Sequence, residues 1–170
     1  MVDSNYVDQG SYISSQNGER ALNAAIIQAN IRESFEEYLE IFEAFYADDV
    51  EVFDETSEER IRGKSRVRSL LFNLLAPLHV MAEVGGLSIS IHETPVSGDV
   101  AGETHSAWTL YLKAPSGSAC TLSWYVVRRW NTSRVVYERH YDHHQSGGPL
   151  TVDDFNLNAA GPVSGFRWVS

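Results

Sequence analysis

The feature that most constrains this chain is its second half. From Leu87 to His143 it breaks into four runs that alternate apolar and polar residues, separated by turn formers. Leu87, Ile89 and Ile91 alternate with Ser88, Ser90 and His92, up to Pro95 and Ser97-Gly98-Asp99. The next runs span Thr104 to Lys113, Thr121 to Trp130 and Arg134 to His143. Pro115-Ser116-Gly117 separates the first two and Asn131-Thr132-Ser133 the last two. Period-two patterning with such turns predicts half-buried strands, the last three forming an antiparallel meander. Asn131-Thr132-Ser133 also has the form of a glycosylation sequon, and its place between two strands reads as a hairpin turn.

The first half has the helical period. Leu22, Ile26, Ala29, Phe35, Leu39, Phe42 and Tyr46 fall on one stripe, predicting a long helix over residues 18–46 with a break near Asn30. Asp48 to Asp54 alternates and predicts a short strand, and Thr56 to Arg62 a charged loop. A second helix starts at Lys64 with the stripe Val67, Leu70, Leu71, Leu74, Leu75, and Pro77 stops or kinks it. Helices first and strands after predict an α+β domain rather than a doubly wound sheet. The expected organisation is a loose polar arm over residues 1–16, one domain over 17–148, and a polar tail over 149–170 anchored by Phe155, Phe166 and Trp168.

Composition excludes several roles. Thirteen Lys and Arg against 23 Asp and Glu give a net charge of −10, which argues against nucleic acid and anionic membranes as partners. Cys120 is the single cysteine, so no intramolecular disulfide and no cysteine-rich metal site can form. No glycine-rich phosphate loop follows a strand, and there is no GxSxG elbow. No uninterrupted apolar run approaches the ~20 residues of a membrane span, and the first residues lack the pattern of a secretion signal, so the expected location is the cytoplasm.

With these elements in order, the chain resembles the nuclear transport factor 2-like superfamily. The resemblance rests on Phe45-Tyr46-Ala47-Asp48-Asp49-Val50-Glu51-Val52-Phe53-Asp54 after the long helix, on Gly63-Lys64-Ser65, and on the closing Arg134 to Asp142. Gly102-Glu103-Thr104-His105 is similar to the SnoaL-like polyketide cyclases within that group. The likeness implies a cone of curved antiparallel sheet, N-terminal helices enclosing an apolar pocket, a small hydrophobic substrate, no cofactor, and a homodimer paired through the sheet.

Several residues could carry chemistry there. Asp54 resembles the catalytic carboxylate of ketosteroid isomerases, although Glu55 stands where they have Pro. Alternatively it caps the following turn. On a regular final strand Glu138, His140, Asp142 and His144 share one face and Tyr137, Arg139, Tyr141 and His143 the other. The resemblance places Glu138, His140 and Asp142 inside, where a His beside a carboxylate makes an acid/base pair. The rival reading is a metal held by His140, Asp142 and His144. His105 is a pocket residue by resemblance, or a satisfied core histidine. Tyr46, or next Tyr38, could hydrogen-bond an oxyanion. Trp124 and Glu138 could line the pocket, and Arg128 or Arg129 must face inward, pairing a carboxylate or holding an anionic group.

The expected function is cofactor-independent cyclisation or isomerisation of a polyketide- or terpenoid-like intermediate, with Asp54, His105, His140 and Asp142 as the catalytic set. The alternatives are an epoxide hydrolase or dehydratase in the same pocket, although the Arg-x-Asp spacing of the family's hydrolases is absent. The remaining one is a binding module without chemistry, whose cone would be filled by its own side chains.

Overall fold

The computed structural model describes residues 9–95, 101–151 and 153–155, with side chains from Ser15 onward. The element order is α1 (Gln9–Gln28), α2 (Glu36–Phe45), β1 (Tyr46–Asp54), β2 (Glu59–Arg62), α3 (Lys64–Val84), β3 (Gly86–Thr94), β4 (Glu103–Lys113), β5 (Ala119–Asn131), β6 (Arg134–Gly147) and a 3-10 turn over Asp153–Phe155. The fold is α+β, as the patterning predicts.

The six strands form one sheet in the order β2-β1-β6-β5-β4-β3. The meander is present, and β3 extends it as a further antiparallel strand. The pairing of β1 with β6 is parallel, so the sheet is mixed rather than wholly antiparallel. α3 touches β2 and β1 at one edge and β3 at the other. One helix can reach both edges of six strands only if the sheet curls around it, and this curl makes the cone.

The predicted long helix is two helices. The break at residues 29–35 is built by Asn30, whose Oδ1 accepts the Arg32 N–H at 3.1 Å, and by Ser34, whose hydroxyl accepts the Glu36 N–H at 3.2 Å. Glu36 and Glu37 then open α2, where carboxylates favour the helix dipole. α1 begins at Gln9, so residues 9–16 are helix and not arm. β2 emerges from the expected charged loop because Glu59 to Arg62 pairs along β1.

α3 runs through Pro77 to Val84. The proline deprives the Asn73 carbonyl of its helical partner, and Asn73 is exposed, so water can take its place. Val67, Leu75 and Ala82 keep the stripe packed beyond the proline. By length and composition α3 could cross a membrane, a property that the run-length argument missed; here it forms the cone's wall. Phe155 is buried beside Ala114, as expected of a tail anchor. Phe166, Trp168, the start of the arm and the Ser97-Gly98-Asp99 turn lie outside the described residues.

Candidate functional site

Strand parity sorts the side chains. Thr104, Ser106, Trp108 and Leu110 on β4 face the helices, paired across to Arg128, Val126, Trp124 and Leu122 on β5. Glu138 and His140 on β6 stand beside Arg128 and Val126 on the same inner face. β1 adds Asp54, in register with His140.

The deep end of this face is a closed polar network. Arg128 is 1% exposed, and its Nε donates to Glu138 Oε2 at 2.6 Å while Nη1 donates to Glu19 Oε1 at 2.8 Å. Glu19 comes from α1, where stepping back three and four residues from Leu22 and Asn23 along the buried stripe lands on it. Thr104 Oγ1 donates to Glu19 Oε2 at 2.8 Å, and the Ser106 hydroxyl also donates to Glu19. Asn23 donates to Glu19 and Ser106 and accepts from Arg128. The Tyr46 hydroxyl donates to Glu138.

The charge states follow from this packing. Burial works against the Arg128 cation, but the carboxylate charges of Glu19 and Glu138 outweigh it and hold its proton more tightly than usual. Burial pushes the Glu138 carboxyl up, while Arg128, His140 and the Tyr46 bond pull it well below the ordinary carboxylate range. Burial pushes the Tyr46 phenol well up, so it stays a donor. Tyr46 thus holds a carboxylate of its own chain.

Toward the mouth the network becomes reachable. His140 is 24% exposed, and its Nε2 lies 2.7 Å from Glu138 Oε1. Ionised Glu138 can only accept, so Nε2 carries a proton that it donates there, and Nδ1 is the ring atom left to exchange a proton with a bound molecule. No partner for Nδ1 is present among the described residues.

Asp142 departs from the regular-strand reading. It has φ +54°, and the register with β5 shifts there: Tyr125 faces Tyr141, yet Ser123 faces His144. This bulge reverses the parity beyond it. Asp142 leaves the inner face and pairs with exposed His144 at 2.9 Å, while His143 turns inward and stacks on Trp124 with centroids 6.2 Å apart. The proposed His140–Asp142 pair does not form, and the metal triad built on it is broken up. Among the described residues no group of three metal-ligating side chains comes together.

His143 takes the place expected of Asp142. Its Nε2 lies 3.5 Å from Asp54 Oδ2 and its Nδ1 2.7 Å from Thr56 Oγ1. Burial lowers its pKa, against the pull of Asp54, so the ring is neutral at pH 7. Asp54 caps the turn, its Oδ1 accepting the N–H groups of Thr56 and Ser57, while its Oδ2 faces His143 at the mouth.

His105 lies on the opposite, outer face. Its partner across β5 is Val127, and its Nε2 is 2.9 Å from Glu103, which also takes Arg129. The alternation along β4 puts Thr104 inside, and that fixes His105 outside. Arg129 is outside for the same reason, which settles Arg128 as the inward arginine. Glu19, Asn23, Trp108 and His143 belong to the inner face and were not anticipated as site residues. Glu19 had a legible signal, a charged residue on an apolar helical stripe.

Solved structures supply the comparison. A candidate SnoaL-like polyketide cyclase from Jannaschia sp. CCS1 is 10% identical and superposes with a TM-score of 0.53 over 77% of this chain and 86% of that one. A candidate isomerase from Bacillus subtilis is 16% identical, TM-score 0.51, over 77% and 87%. An epoxide hydrolase from M. tuberculosis, described as LEH-like, is 16% identical, TM-score 0.50, over 76% and 83%. No family model matches the sequence and no curated protein matches it. The curled six-stranded sheet with three helices is the nuclear transport factor 2-like, SnoaL-like fold.

Proposed function

We propose that this protein is a cofactor-independent acid/base catalyst that isomerises or cyclises a small hydrophobic carbonyl compound of polyketide or terpenoid type at the mouth of the cone. The observation that carries the reading is the held imidazole of His140. Its Nε2–H is fixed on ionised Glu138, which Arg128 and Tyr46 lock in turn, leaving Nδ1 as the base. An orienting carboxylate strengthens a histidine base. Neutral His143, backed by Asp54, is a second proton carrier on the same face.

A second reading, hydrolysis or dehydration, is favoured by the Glu19–Arg128–Glu138 set. Carboxylate, arginine and carboxylate meet there from three elements, a set that no local spacing reveals, and the fold is shared with an epoxide hydrolase. The closed packing argues against it, since every one of those groups is spent on another.

The test is mass spectrometry of the native host carrying His140→Gln. An accumulated compound of the same mass as the lost product supports isomerisation or cyclisation. A difference of one water supports the second reading. An unchanged profile removes the enzyme reading and leaves a binding module, for which the filled deep end of the cone already provides a basis.

A further inference from the structure

Trp108 and Trp124 are direct partners across β4 and β5, with ring centroids 5.7 Å apart on the inner face. Both indole nitrogens are buried, and neither has a hydrogen-bond partner among the described residues. A buried donor without an acceptor costs the desolvation of that group, and two adjacent ones double the cost. The protein can satisfy an indole on this face: Trp130 Nε1 donates to Thr104 Oγ1 at 2.8 Å. The nearby hydroxyl oxygens already accept from other donors, Thr104 from Trp130 and Ser106 from Asn23. The unpaired donors stand one step further toward the mouth, beside the acid/base groups. Val126, in register with His140, follows Trp124 on the inner face by two positions, and Trp124 itself stacks on His143.

We infer that the indole N–H groups of Trp108 and Trp124 together bind the substrate oxygen that gains charge, a carbonyl oxygen on a flat apolar body that becomes an enolate. The inference rests on the acid/base reading and adds the residues that bind the reacting oxygen. His140 Nδ1 takes a proton from the carbon beside the carbonyl. The C–H electron pair becomes the new C=C bond and the carbonyl π pair moves onto oxygen, where two donors in a poorly solvated site hold it. Return of the proton to another carbon completes an isomerisation, and attack of the enolate carbon on a second carbonyl closes a ring. Diagonal neighbours on adjacent strands are ~7–8 Å apart, a gap that the side chains and one bound carbonyl unit can bridge.

The test is a titration of the unmodified 15N-labelled protein with 2-naphthol, an enol oxygen on a flat ring system, followed through the indole N–H resonances. The expected result is a downfield displacement of Trp108 and Trp124, with Trp130, already bonded to Thr104, unmoved. Trp108→Phe and Trp124→Phe should each lower the 2-naphthol to naphthalene affinity ratio by about 10-fold, the size expected for the loss of one hydrogen bond to the naphthol oxygen. The ratio cancels the lost ring area. If only one of the two indoles moves, if neither does, or if Trp130 moves equally, the inference is overturned, and this arm needs no variant to fold. Naphthol on both indoles together with an unchanged metabolite profile in His140→Gln would sink the acid/base reading and leave the oxygen site standing.

Discussion

The guanidinium of Arg128 lies 2.6 Å from the carboxylate of Glu138, and both groups are sealed from water between β5, β6 and α1. Glu138 thereby becomes a fixed negative point that orients His140 rather than a base itself. Breaking such a buried pair from one side strands a charge, at about 3–5 kcal/mol. Arg128→Met and Glu138→Gln should each lower the urea midpoint accordingly, and the triple variant with Glu19→Gln should recover much of that loss. A midpoint unchanged in both single variants would refute the buried pair.

The same pair sets an acid limit. The folded pKa of Glu138 is depressed, so its contribution is complete above the unfolded value of ~4.3 and is lost as pH falls toward the folded value. Stability measured from pH 6 down to pH 2 should fall steeply below ~4.3 in the unmodified protein and less steeply in Glu138→Gln. Parallel curves would show that other carboxylates dominate.

His143 offers a spectroscopic check on the bulge. Burial lowers its pKa and Asp54 partly restores it, so its ring should titrate below the ~6.5 of a free imidazole. Asp54→Asn should lower the value further, while Asp142→Asn, also a raising charge, acts from the outer side. An NMR titration of the ring protons reads both. A His143 that titrates at or above ~6.5 would place it in water, as a regular strand would have done.

Gly18 lies in α1 against the ring of Trp130, where an added Cβ would come within 2.9 Å of the ring edge. In an ordinary helix interior Gly→Ala gains about 1 kcal/mol. Trp130 is buried and tied to Thr104, so its ring has little room to retreat. Gly18→Ala should therefore lower thermal stability, and Gln16→Ala in the same helix should not. A stabilised Gly18→Ala would mean that α1 is not docked on the sheet through this contact.

The helical stripes and the meander of β4, β5 and β6 were legible because hydrophobic periodicity is local, whereas the inward face of Glu138 and His140 came from the family likeness, since alternation alone left both faces of the strand open. The deep network was not legible: Glu19 and Arg128 lie 109 positions apart and meet only once α1 lies across the curled sheet. Asp142 was misplaced for a geometric reason. Parity along a strand holds only until a bulge, and nothing in Tyr141-Asp142-His143 announces the left-handed Asp142 that exchanged Asp142 for His143. His105 failed differently: a motif likeness assigned it to the pocket while the alternation of β4 assigned that place to Thr104 and Ser106.

The outer face of the sheet carries the expectation of a homodimer. Tyr125, 37% exposed, stacks on Tyr141, while Arg129 lies over Tyr137 and Arg139 over Tyr141. The Arg139 Nε is buried there with no partner among the described residues. An aromatic and arginine-rich patch of this kind is the composition of an interface centre, and a two-fold axis through it would set each Tyr125–Tyr141 stack against its copy. A stable pair needs ~800 Å² from each subunit, which the exposed parts of β4, β5 and β6 have to supply. Sedimentation of the unmodified protein should give twice the chain mass, and Tyr125→Glu, which forces a charge into the centre, should give one. Tyr111→Glu, also on the outer face but near the far end of β4, should weaken the pair less. A protein that sediments as a monomer at tens of micromolar would remove the sheet face as a pairing surface, and the unpartnered Arg139 nitrogen would need another explanation.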